Sequence, residues 1–165
     1  METQTTVSRL SAVIALYDLQ TTYYLNAIDG ISDKDTHNRL NTKANHIAWL
    51  AGSVVEERFE LARVLGRDLG STAHELFKDN KGIQDDATYP SLEVYRSDWN
   101  KISPILRETL LNLTDEKLDS KFEMMPGMEM TYFELITFIS YREANCIGQI
   151  ALWRRLLGYP PMKYM

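Results

Sequence analysis

Arg142 and Cys146 stand one helical turn apart in "SYREANCIGQIALWRRLLGYPP" (Ser140 to Pro161), inside an otherwise apolar stripe. A guanidinium keeps its charge at any ordinary pH and needs a partner when it leaves water. The best-placed partner is Glu57 in "GSVVEERFE", with Glu56 and Glu60 as weaker ones. Two uses follow for such a cation. It fills the interior as a structural ion pair, or it holds the carboxylate of a small ligand in a cleft. Cys146 is the only cysteine, so no internal disulfide is available. A neighbouring arginine favours the thiolate, but a nucleophilic thiol also wants a base. His46 sits seven residues before Ser53, roughly 10 Å along a helix axis, too far for a dyad. An inert core thiol is the expectation.

The remaining chemistry is sparse. His37 and His74 fall in connections and are expected to be solvated, and His46 belongs to "NHIAW" with no metal partner at ligand spacing. Glu143 sits one step off the inward stripe, and no Glu-x-x-His pair offers a dicarboxylate metal site. No phosphate-binding glycine loop, serine elbow or zinc-finger spacing is present, so the residues imply no cofactor.

These groups have to be positioned by helices. The first is expected over Thr5 to Asp29, with Leu10, Tyr17 and Tyr24 repeating every seven residues and Gly30 as its stop. The second covers Ala44 to Leu65, its apolar stripe flanked by His46, Trp49, Ser53, Glu57 and Glu60, and ends at Gly66. The long connection Gly66 to Pro90 holds a short helix in "AHELFK". The third runs from an N-cap at Ser91 to Leu113, and Pro104 should kink or split it. Thr114 caps a short turn, and "MMPGMEM" reads as a turn or loose hairpin. The fourth opens on a Thr131–Glu134 capping box and runs to Leu157, apolar nearly all round and so expected at the centre. The pattern predicts one all-α domain over residues 1–165, a four-helix bundle with a long connection between helices two and three.

Composition agrees. Hydrophobic residues are 44% and charged residues 25%, the balance of a folded globular chain. The net charge of −5 argues against a sequence-independent nucleic-acid binder. No apolar run reaches the ~20 uncharged residues that a membrane helix needs. The first residues lack the pattern of a secretory signal, so a cytoplasmic protein is expected. Met124, Met125, Met128 and Met130 cluster in one loop and suggest a dimer contact.

"NHIAWLAGSVVEERF" (Asn45 to Phe59) together with "YREANCIGQIALWRRLLGYP" near the end resembles the DinB/YfiT-like superfamily of helical-bundle proteins. The resemblance covers nearly the whole chain. It implies a four-helix bundle, often dimeric, whose enzymes are mostly metal-dependent transferases or isomerases that use low-molecular-weight thiols. It also implies a zinc or nickel ion on three histidines, at positions that correspond here to Ser53, Arg142 and Cys146. Serine is a poor neutral ligand and a guanidinium repels a divalent cation. The expectation is therefore a degenerate, metal-free site bounded by Ser53, Arg142 and Cys146, with His46, Trp49 and Glu57 nearby. Such a protein is non-catalytic or binds a small anionic ligand. The alternatives are a metal-independent thiol-type transferase or isomerase and a homodimeric interaction protein.

Overall fold

The computed structural model describes residues 8–165. Among the described residues six α-helices and one two-stranded hairpin follow in order, with long connections on either side of α2: α1 (Ser11–Ile28), α2 (Ile47–Val64), α3 (His74–Phe77), α4 (Leu92–Leu111), α5 (Asp115–Asp119), β1 (Lys121–Met125), β2 (Met128–Thr131) and α6 (Tyr132–Leu156). The chain is 61% helical, about twice the usual share, so the all-α expectation holds at that coarse level. The hairpin departs from it. Among the described residues no helix is long and apolar enough to cross a membrane.

The four long helices pack in a closed ring of contacts, α1 on α4 and α6, and α2 on α4 and α6. The repeat Leu10, Tyr17 and Tyr24 is buried as its spacing predicts. The expected start at Thr5 lies outside the described residues, but Arg9 and Leu10 form a turn and the helix begins only at Ser11. Helix α2 starts at His46, whose Nδ1 accepts the Trp49 N–H at 3.1 Å. It ends at Gly66, where φ is +94° and the Arg67 N–H reaches back to the Ala62 carbonyl. Helix α6 has the expected capping box in full, with Glu134 Oε2 accepting the Thr131 N–H and Thr131 Oγ1 accepting the Glu134 N–H.

Two boundaries are made differently from the local reading. Ser91 stands at the N-cap of α4 without capping it through its side chain. Asp33, from the α1–α2 connection, accepts the Leu92 N–H at 3.0 Å instead. The carboxylate does the same job from far away in sequence and also complements the helix N-terminus. Pro104 does not split α4, which runs unbroken from Leu92 to Leu111. The helix is held around it: Ser103 donates to the Trp99 carbonyl, and Tyr17 Oη donates to the Ser103 carbonyl at 2.7 Å.

The expected central helix is also corrected. Phe138, Tyr141, Leu152 and Leu156 of α6 are exposed, while α2 is buried along nearly its whole length. Small residues explain this. Ala48, Ala51, Gly52 and Ala62 let neighbours approach closely. A Cβ on Gly52 would collide with the Phe77 ring and lie 2.6 Å from Tyr95 Oη.

The charge at the heart of the molecule is Arg58. Its guanidinium is completely buried between the rings of Tyr17 and Trp99, 3.8 and 3.6 Å from their centroids. It grips Glu143 with Nε at 2.8 Å and Nη2 at 2.5 Å, and Nη1 donates to Thr21 Oγ1 and Ser103 Oγ. Glu143 is therefore inward-facing, not off the stripe. Removing one partner of such a pair costs roughly 3–5 kcal/mol, because it strands the other charge.

Candidate functional site

Helices α2 and α6 face each other and bring together the expected positions. Arg142 Nη1 lies 2.8 Å from Glu57 Oε1, and Nη2 reaches Ser53 Oγ at 3.5 Å. Cys146, one turn further along α6, is buried beneath them. Glu57 is the partner favoured by the spacing. The Arg142 side chain remains 34% exposed and that of Glu57 only 13%. The pair is thus neither a core ion pair nor a surface one: it closes the floor of an opening.

The pair leaves polar atoms over. Glu57 Oε2 and Trp49 Nε1 are both buried without a hydrogen-bond partner among the described residues. An unpaired buried polar atom costs on the order of 1–3 kcal/mol. Burial pushes the Glu57 carboxyl up to about 7, against the pull of Arg142 and with help from the charges of Glu143 and Glu60. Near neutral pH the group is divided between its acid and carboxylate forms. Burial likewise raises the Cys146 thiol, and Arg142 only partly opposes it. That is the opposite of what thiolate chemistry requires.

Arg142 borders three cavities. One, of about 230 Å³ and open to solvent, is lined by Trp49, Ser53, Glu57, Phe77 and Lys81. A second is bounded by Trp49, Leu50, Tyr141, Cys146 and Gln149. The third lies between α2, α6 and the hairpin and has mainly apolar walls. The arrangement offers a cation, a carboxyl that titrates near neutrality and an unpaired indole N–H along one cleft. Such a set can hold a ligand that presents hydrogen-bond acceptors, and it contains no activated nucleophile.

The donors do not suit the divalent ion that the family resemblance implies. A hydroxyl, a guanidinium paired with Glu57 and a thiol driven toward its neutral form leave nothing to coordinate it. Among the described residues no three His, Cys, Asp or Glu side chains are grouped to hold a metal ion.

Other expectations move. His46 does not line the cleft. Its ring packs against His37 and Tyr89, at centroid distances of 4.8 and 5.2 Å, while Nδ1 caps α2. Burial and the charge of His37 hold it down at about 4. His74 is not simply solvated, since its Nδ1 lies 2.8 Å from Glu56 Oε1. Glu56 is no partner of Arg142. It is buried and accepts from Arg63 at 2.7 Å and from Ser71. Burial would raise its carboxyl, but the hydrogen bonds from Ser71, Arg63 and His74 outweigh that and hold it below the usual range. This cluster ties the long connection to α2, and its Glu56 lines the cleft.

No family model matches the chain, and no curated protein matches it.

Proposed function

We propose that this protein is a single-domain, cytoplasmic four-helix bundle of the DinB/YfiT-like kind, in which the family's metal position has become a non-catalytic site for a small anionic ligand. One observation carries this reading. Arg142 and Glu57 pair at the floor of an open cleft, and Glu57 Oε2 and Trp49 Nε1 stay unpartnered beside them. A carboxylate ligand accepts from the exposed guanidinium edge and from the indole. A protonated Glu57 donates to it as well, so binding takes up a proton. The raised Cys146 thiol speaks against the transferase or isomerase alternative.

The test is a titration with acetate at constant ionic strength, by calorimetry, on the wild type and Arg142→Met. The wild type should bind more weakly at pH 8 than at pH 6 by about tenfold, the change in the protonated fraction of a carboxyl that titrates near 7. Arg142→Met should not bind. Equal affinity in the two proteins would sink the reading.

A homodimeric interaction protein is a second reading, favoured by the exposed apolar residues Tyr141, Leu152 and Leu156 on α6 and Met125 and Met128 on the hairpin. Sedimentation equilibrium decides it: a monomer at tens of micromolar excludes it.

A further inference from the structure

The third cavity at Arg142 is unlike the other two. Leu61 and Val64 of α2, Leu135, Phe138 and Ile139 of α6, and Phe122 and Met124 of the hairpin wall a shallow trough of about 100 Å³. Its polar residues are Glu57, Glu60, Asn80 and Arg142. From Arg142 to Leu135 is seven residues, roughly 10 Å along the helix. Leu61 and Leu135 are buried, Val64, Phe122 and Ile139 are half-buried, and Met124 is exposed. The wall therefore grades from core to solvent and holds apolar surface in contact with water. Methionine is the side chain best able to fold over a flexible chain.

We propose that the ligand is an amphiphilic carboxylate, with its head at Arg142 and an unbranched aliphatic tail of medium length in this trough. The proposal rests on the reading of the cleft as an anion site and names the class of anion. The head must be an acceptor, because Arg142 is the one cation among the described residues that line the trough, and its side chain keeps a third of its surface exposed beyond its bond to Glu57. The tail must be apolar, because a charged or hydrogen-bonding body would be desolvated against Leu61, Leu135 and Ile139 with no partner. Ligand sites commonly combine such walls with a few convergent polar groups.

The experiment compares acetate, octanoate, octanol and octylamine at pH 6 by calorimetry, on the wild type, Arg142→Met and the double variant Met124→Ser/Phe138→Ser. Met124 and Phe138 both line the trough and are exposed, so the double variant should fold normally. Each buried methylene is worth about fourfold in affinity. If half of the added methylenes are buried, octanoate should bind more tightly than acetate by on the order of fiftyfold. Arg142→Met should lose at least tenfold for octanoate, and octanol should bind the wild type no better than octanoate binds that variant. The double variant should lose most of the gain from the tail and keep its acetate affinity. Octanoate binding no more tightly than acetate overturns the proposal and leaves the anion site standing. Octylamine binding as tightly as octanoate overturns the choice of head group, and with it the anion site. If neither acid binds the wild type, both readings fall.

Discussion

Replacing Glu57 by glutamine isolates the group on which the cleft depends. The carboxyl titrates at about 7 in the folded chain, against an ordinary value of 4.5. Between those two values the folded state holds more protons than the unfolded one, so this group makes stability fall as pH rises. Its contribution is fully present below 4.5 and is lost as pH passes through about 7. Between pH 5 and pH 8 the change amounts to roughly 2–3 kcal/mol, because each tenfold change in proton affinity is worth about 1.4 kcal/mol. With a urea slope of roughly 2 kcal/mol/M, that moves the unfolding midpoint by about 1 M. Glutamine keeps the shape and cannot ionise. Urea denaturation of the wild type and Glu57→Gln, at pH 5, 6, 7 and 8, should give curves that diverge toward alkaline pH, with the variant gaining relative to the wild type by that amount. The comparison cancels His46, whose effect has the opposite sign. Its folded value of about 4 lies below its ordinary value of 6.5, so its contribution is present above 6.5 and is lost as pH falls through 4. Two parallel curves would show that Glu57 ionises as if in water, and the account of the cleft floor would be wrong.

Three further outcomes follow from the same geometry. Arg58→Met and Glu143→Leu should each destabilise by roughly 3–5 kcal/mol in urea, and the double variant should lose clearly less than the sum; strict additivity would mean that the pair is not coupled. His46→Ala should cost about 1 kcal/mol at pH 7 through the lost cap and should flatten the acid limb of the stability profile, both read by thermal unfolding at pH 5 and 7. Cys146, buried and with its thiol raised, should react with a bulky thiol reagent at pH 7 only as fast as the protein unfolds; stoichiometric labelling within seconds of mixing would contradict its placement.

Where the deciding interaction is short in sequence, the residues alone were enough. The Thr131–Glu134 box, the stop at Gly66, the Thr114 cap and the buried series Leu10, Tyr17 and Tyr24 depend on neighbours within one or two turns. The pairing of Glu57 with Arg142 was also legible, because it needed only two helices face to face and a cation in want of a carboxylate. Tertiary structure decided the rest. Glu143 lies one step off the single apolar stripe that spacing picks out on α6, and that stripe is only part of the helix's inner face. A helix wedged against both α1 and α2 buries a wider arc, and Glu143 falls inside it. Arg58 gave no local sign of its place, since its ring stack and its carboxylate come from α1, α4 and α6. Asp33 took over the cap at Leu92, and His74 found Glu56, through contacts that no periodicity encodes. Local hydrogen bonds and apolar spacing determine where helices begin, end and face. Which buried charges meet depends on how those helices rotate against one another, and that is set only once the whole core has packed.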